Sequence, residues 1–178
     1  MSPRRSEYRR PRMPTSTSKY QYITCDPTKC VGCQLCEYIC SYVKTGEFNT
    51  YRSRIRTVRA EEILITAVAC RTCEDAPCVI ACPRNALSQD PITGIIRVDA
   101  DRCDGCAWCI EACDFGAISI NPETKLAEIC DLCADLEDGP QCIKWCPKEA
   151  LALTTPDRRA QRARHKLAVE EVLGRYEG

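Results

Sequence analysis

Aromatic residues are scarce, with two tryptophans, two phenylalanines and seven tyrosines making 6% of 178 residues. A chain this poor in large apolar side chains cannot hold itself together by hydrophobic burial alone, so disulfides or metal must contribute. Long apolar runs are missing too. The longest, from Ile63 to Cys70, is interrupted by Thr66 and falls far short of the roughly 20 residues a membrane span needs, so no direct membrane insertion is expected. Residues 1–24 are polar and basic, and the pairs Arg4-Arg5 and Arg9-Arg10 have no apolar stretch behind them. Neither a secretory nor a twin-arginine signal is therefore expected, which sets aside a secreted disulfide scaffold and predicts a cytoplasmic protein. The only histidine, His165, lies in a basic tail and reads as a solvated residue. No side chain reads as a nucleophile or general base for a substrate, so the chain is not expected to be an enzyme in its own right.

Charge of either sign is in balance overall but not along the chain. Residues 1–59 carry 12 Lys/Arg against 4 Asp/Glu, residues 60–157 carry 7 against 18, and residues 158–178 carry 6 against 3. Basic ends flank an acidic middle. Solvated tails and a docking arm for a partner both fit that pattern. Nucleic acid does not, because the body carries the wrong sign.

Cysteine is what the chain has in excess: seventeen, an odd number that argues against complete internal disulfide pairing. Sixteen fall into four groups of four. Cys30, Cys33, Cys36 and Cys40 have the spacing C-x2-C-x2-C-x3-C, and Cys103, Cys106, Cys109 and Cys113 repeat it. Cys70, Cys73, Cys78 and Cys82 read C-x2-C-x4-C-x3-C, while Cys130, Cys133, Cys142 and Cys146 read C-x2-C-x8-C-x3-C. Cys82 and Cys146 precede Pro83 and Pro147, as in bacterial ferredoxins, whereas Cys40 and Cys113 precede Ser41 and Asp114. Three thiols on a loop can converge on three irons of a cubane, and the fourth ligates the other cluster of a pair. Structural zinc is the rival, since paired C-x2-C units also bind it. The second and fourth groups alone could pass for zinc sites; the first and third, with three thiols in seven residues, could not. Cys25 fits no ligand position and reads as a packed or free thiol.

An internal repeat supports the grouping. Cys82 to Leu87, Cys113 to Ile118 and Cys146 to Leu151 share the form C-x3-A-[L/I], and each reads as a short helix turning into a strand. Turns at 90–94 and 121–125 lead into strands at Ile95–Val98 and Leu126–Ile129, and alternation at Ile55, Thr57 and Ile63–Val68 predicts one more hairpin. Hairpin plus short helix, repeated, predicts an α+β fold of ferredoxin-like type. Trp108, Trp145 and Tyr38 lie inside the motifs and are expected to sheathe the clusters from water. Thr155, Pro156 and Gly174 bound a predicted helix over about Asp157–Leu173 with a modest apolar stripe of Val169, Val172 and Leu173, Leu167 lying off to one side. Residues 1–20 are predicted to be a flexible basic arm, 21–155 the cysteine-rich body and 156–178 a helical tail.

Over residues 20–155 the four-motif pattern resembles the four-cluster electron-transfer subunits of molybdenum and tungsten oxidoreductases, such as the partners of formate dehydrogenase, dimethyl sulfoxide reductase and nitrate reductase. The resemblance implies four [4Fe–4S] clusters in two pseudo-symmetric dicluster modules, the outer motifs (25–69 and 119–155) forming one and the inner motifs (70–118) the other. It implies one cluster held by Cys30, Cys33, Cys36 and Cys146, and its mate by Cys130, Cys133, Cys142 and Cys40. A third would be held by Cys70, Cys73, Cys78 and Cys113, and the fourth by Cys103, Cys106, Cys109 and Cys82. The stretch Cys25 to Tyr38, with Asn49 to Arg56, resembles more narrowly the compact polyferredoxin subunits of tungsten aldehyde oxidoreductase-type enzymes, the class II benzoyl-CoA reductases among them. The partner so implied is a large catalytic subunit carrying a tungsten or molybdenum pterin. A flavin subunit, a soluble ferredoxin or a second copy of this chain are further candidates. No membrane-facing extension like those of the respiratory subunits is expected, and the basic arm and tail depart from the family pattern. A free-standing polyferredoxin, or a relay for a carbon monoxide dehydrogenase, hydrogenase or formate dehydrogenase, would use the same motifs.

Overall fold

A chain punctuated by a cysteine every few residues has room only for short elements, and short elements are what form. The computed structural model describes residues 20–61 and 64–173; residues 1–19 of the predicted arm, Ile63 and the helix stop at Gly174 lie outside them. Strand β1 (Tyr22–Cys25) leads into α1 (Leu35–Thr45) and a 3-10 turn at Thr50–Arg52. The hairpin β2 (Ile55–Ala60) and β3 (Leu64–Ala69) follows, then α2 (Pro77–Ile80), β4 (Leu87–Gln89), β5 (Ile96–Val98) and α3 (Trp108–Glu111). The chain continues through β6 (Ile118–Ile120), β7 (Ala127–Ile129), α4 (Gln141–Lys144), β8 (Leu151–Thr154) and α5 (Pro156–Leu173). The strands pair antiparallel in twos: β1 with β8, β2 with β3, β4 with β5 and β6 with β7. The fold is α+β, with helices and antiparallel strands as the sequence pattern predicts.

Two hairpin turns are built alike. The Asp90 carboxylate accepts from the N–H groups of Ile92 and Thr93 at 2.9 and 2.8 Å. The Asn121 side chain accepts from those of Glu123 and Thr124 at 2.9 and 3.0 Å. Both are turns in which a side chain replaces a backbone acceptor. The β2–β3 hairpin sets Ile55 opposite Ala69 and Thr57 opposite Ala67, and its buried face is Ile55, Ala67 and Ala69. Pairing of β1 with β8, Cys25 opposite Leu151, joins the two ends of the body. Helix α1 packs against α4 and α2 against α3. Lys44, its side chain buried, bridges Asp131 (2.9 Å) and Asp135 (2.7 Å), and Arg54 meets Asp131 at 2.8 Å. These pairs tie α1 to the loop after Cys130.

The C-x3-A-[L/I] repeat folds differently from the expectation. Each one-turn helix ends before the fourth cysteine and carries the third: Cys78 in α2, Cys109 in α3 and Cys142 in α4. The repeat itself is a tight turn into the strand, with positive φ at the equivalent residues Asn85 (49°), Gly116 (58°) and Glu149 (47°). A left-handed residue stops a helix, which is why the helix lies one turn earlier. The strands after the turns begin at Ile96 and Ala127, one residue later than predicted. At the C-terminus the Thr155 hydroxyl accepts from Arg158 N–H at 3.3 Å, so Thr155 caps α5 and Pro156 opens it as expected. Residues 156–169 of this helix are all exposed, His165 included.

Among the described residues, the buried apolar positions are nine large side chains, seven alanines and seven cysteines. The large ones are Tyr22, Ile23, Ile55, Leu87, Ile95, Ile96, Ile118, Ile129 and Leu151. They form a thin shell with the thiols at its centre rather than a core of their own.

Candidate iron–sulfur centres

Each cysteine loop uses the same backbone device. The residue just before the second cysteine has positive φ in all four motifs: Gly32 (66°), Thr72 (47°), Gly105 (70°) and Leu132 (57°). The residue two before the third cysteine does so in three: Gln34 (61°), Ala76 (31°) and Ala107 (65°). Left-handed residues wind the loop tightly and turn its N–H groups inward. Thr72 N–H, for example, donates to Cys70 Sγ at 3.5 Å. The sequence announces this conformation only where glycine provides it at no steric cost; Thr72 and Leu132 could not be read. At Gly105 an added Cβ would stand 2.3 Å from the backbone oxygen of Lys125, whereas at Gly116 it would meet nothing within 4 Å. Gly116→Ala should therefore cost about 1–2 kcal/mol, the left-handed penalty alone. Gly105→Ala should cost more and loosen the Cys103–Cys109 loop. Anaerobic thermal unfolding of the two variants checks this, and equal losses would contradict it.

The loops bring the sequence-predicted thiols together in sets. Cys30, Cys33, Cys36 and Cys146 line one cavity, walled by Ala67 and Leu151. Cys70, Cys73, Cys78 and Cys113 line a second with Ile96, Ile118 and Arg71. Cys82, Cys103, Cys106 and Cys109 line a third with Leu87 and Ile120. In the remaining set Cys142 lies near Cys130, Cys40 and Cys133, and Cys130 near Cys40. Main-chain amides reach three of the fourth cysteines: Arg54 N–H to Cys40 Sγ (3.3 Å), Ala86 N–H to Cys82 Sγ (3.3 Å) and Ala150 N–H to Cys146 Sγ (3.4 Å). Such bonds stabilise negative charge on sulfur and are a lever on cluster potential.

Burial first, and then neighbouring acidic groups and thiols, push several of the buried ligand thiols above the ordinary value of 9.0. Cys36 and Cys70 rise to about 11 and Cys78 and Cys130 to about 12. Cys142 is raised further, again by burial first and then by Cys130 and Cys40. Thiolates in such surroundings require a cation among them. Among the described residues, no three cysteine, histidine, aspartate or glutamate side chains converge on a point for a single metal ion. The thiols stand instead around the walls of cavities. That arrangement suits a polynuclear cluster with one iron at each corner, so the donor set fits iron–sulfur clusters.

Trp108, Trp145 and Tyr38 do not sheathe these cavities. Trp108 and Trp145 are 61% and 57% exposed, and Tyr38 is 40% exposed; the apolar walls come mostly from Leu, Ile and Ala side chains, with Phe115 at the Cys70 cavity. Cys25 is half-buried at the end of β1, where its thiol faces Thr66, Ala67 and Cys30 and is raised by burial. It is packed, as expected.

The 4Fe-4S dicluster domain family matches residues 61–155. YsaA of Escherichia coli K12 is 41% identical over 140 residues, which cover 74% of this chain and 87% of that protein. The electron transport protein HydN of the same organism is 35% identical over 153 residues, covering 74% and 86%. The thiosulfate reductase electron transfer subunit PhsB of Salmonella typhi is 36% identical over 144 residues, covering 74% of each chain. Among the described residues, no helix is long and apolar enough to cross a membrane.

Proposed function

This chain belongs to the 4Fe-4S dicluster domain family, and we propose that it is a non-catalytic relay of four [4Fe–4S] clusters serving a larger oxidoreductase subunit in the cytoplasm. The observation that carries the reading is the sorting of thiols in space: each complete set of four draws its last member from a different motif. Clusters bound there accept and pass single electrons. The chain's part is to hold them near one another, keep water out and set their potentials.

The contacts between sets suggest an order. Cys142 neighbours Cys36, linking the Cys130 set to the Cys30 set. Cys130 neighbours Cys70, linking it to the Cys70 set. Helix α2 carries Cys78 and delivers Cys82 just beyond its end, linking the Cys70 and Cys103 sets. The only two exposed ligands among the sixteen are Cys33 and Cys106, one in each terminal set. Electrons would enter near one and leave near the other.

PhsB, by its name, serves a thiosulfate reductase, and a catalytic partner for this chain follows by analogy. We take that partner to be a tungsten or molybdenum pterin subunit of aldehyde oxidoreductase type, with a flavin subunit or soluble ferredoxin as the other contact. Anaerobic affinity purification of the full chain from its own cells should bring down one large subunit containing tungsten or molybdenum. The dithionite-reduced complex should then pass electrons to that centre. Recovery of the chain alone would make it a free-standing polyferredoxin. Nickel in the complex would instead assign it to a carbon monoxide dehydrogenase or hydrogenase.

A further inference from the structure

Arg71 stands between two ligands of one set, in Cys70-Arg-Thr-Cys73, and lines the cavity those cysteines share with Cys78 and Cys113. Its guanidinium is held between two rings, 4.8 Å from the centroid of Tyr22 and 5.4 Å from that of Phe115, both within cation–π range. Tyr22 is buried on β1, and Phe115 lies in the turn after Cys113. Arg71 Nε is buried and meets no acceptor, and none of the ion pairs among the described residues includes it. A buried donor on an unpaired cation is costly unless something unlike protein satisfies it. The thiols around it supply the reason: a cubane with four thiolate ligands is an anion, and each added electron makes it more so.

We propose that Arg71 is a positioning residue that raises the reduction potential of the cluster held by Cys70, Cys73, Cys78 and Cys113, by keeping one fixed positive charge and its Nε–H against that cavity. The inference rests on the ligand sets given above. In the step it favours, one electron arrives from the neighbouring cluster and no bond forms or breaks. The opposing charge in the same cavity is Asp114, which is exposed. Water screens its carboxylate and not the buried Nε, so the guanidinium dominates the local field.

Redox titration of the anaerobically purified chain, followed by electron paramagnetic resonance, tests this. Arg71→Gln should lower one of four midpoint potentials by about 59 mV, a tenfold change in a one-electron equilibrium, and leave the other three in place. The signal that moves should be the one altered in Cys78→Ser. Arg71→Lys, which keeps the charge, should recover most of the shift. Should Arg71→Gln lose iron, Phe115→Leu decides instead: it frees one face of the guanidinium and should lower the same potential. Full iron content with all four potentials unmoved, in whichever of these variants retains its clusters, overturns the role of Arg71. Iron far below four clusters in the unaltered chain would overturn the ligand sets themselves.

Discussion

Stripping the iron from the anaerobically purified protein is expected to abolish its cooperative fold. The unaltered chain should contain roughly 16 iron and 16 acid-labile sulfide, four for each complete thiol set. After chelation its thermal unfolding should lose its transition. The reason lies in the core: nine large apolar side chains among the described residues surround seven buried cysteines and seven alanines. Without the clusters those side chains face cavities instead of one another. Net stability of a domain is only about 5–15 kcal/mol, and structural metal in small zinc domains contributes about 10–16 kcal/mol of apparent binding energy. Loss of four such centres exceeds any reserve. A cooperative transition in the iron-free chain would refute this account, and stoichiometric zinc with little iron would refute the clusters.

The thiols give the same assembly its pH sign. Cys78 and Cys130 are pushed up to about 12 and Cys36 and Cys70 to about 11, by burial first. At neutral pH a cysteine thiol is mostly protonated even in the open iron-free chain, so iron must displace the protons of its ligands. Acid therefore opposes reconstitution, and alkali up to the ordinary thiol range favours it.

Much of this was legible in the sequence because ligand spacing is local. The four groups, the hairpin at 55–69, the two side-chain-capped turns and the cap at Thr155 each depend on residues within a few positions. What escaped depends on backbone conformation or on distant partners. The C-x3-A segment looked helical because alanine and leucine favour helix, yet the left-handed residues at Asn85, Gly116 and Glu149 force a turn there. Trp108 and Trp145 looked like sheathing because tryptophan is usually well buried. Their place at the ends of one-turn helices points them outward instead. Nothing in the sequence singles out Arg71; its two ring partners come from 49 residues before it, Tyr22, and 44 after it, Phe115. No local pattern could show that.

Replacing a single fourth cysteine should injure the cluster of another motif. Cys113 follows α3, which carries Cys109. The two thiols diverge: Cys113 faces the cavity of Cys70, Cys73 and Cys78, while Cys109 faces that of Cys103, Cys106 and Cys82. The thiols of Cys70, Cys73 and Cys78 each lie near Cys113, and Cys109 lies near Cys103, Cys106 and Cys82. Four residues of chain thus hand one ligand to each neighbour. Cys113→Ser substitutes a harder oxygen for the soft thiolate that iron–sulfur clusters prefer. It should alter or remove the same resonance signal that Cys78→Ser removes, and leave intact the signal lost in Cys109→Ser. The reciprocal variant, Cys82→Ser, should join the Cys109→Ser class although Cys82 belongs in sequence to the Cys70 motif. Iron content should fall by no more than about one cubane in each case, because the other three ligand sets are untouched. If Cys113→Ser instead perturbs the cluster of Cys103, Cys106 and Cys109, each motif keeps its own cluster and the crossed ligand sets are wrong.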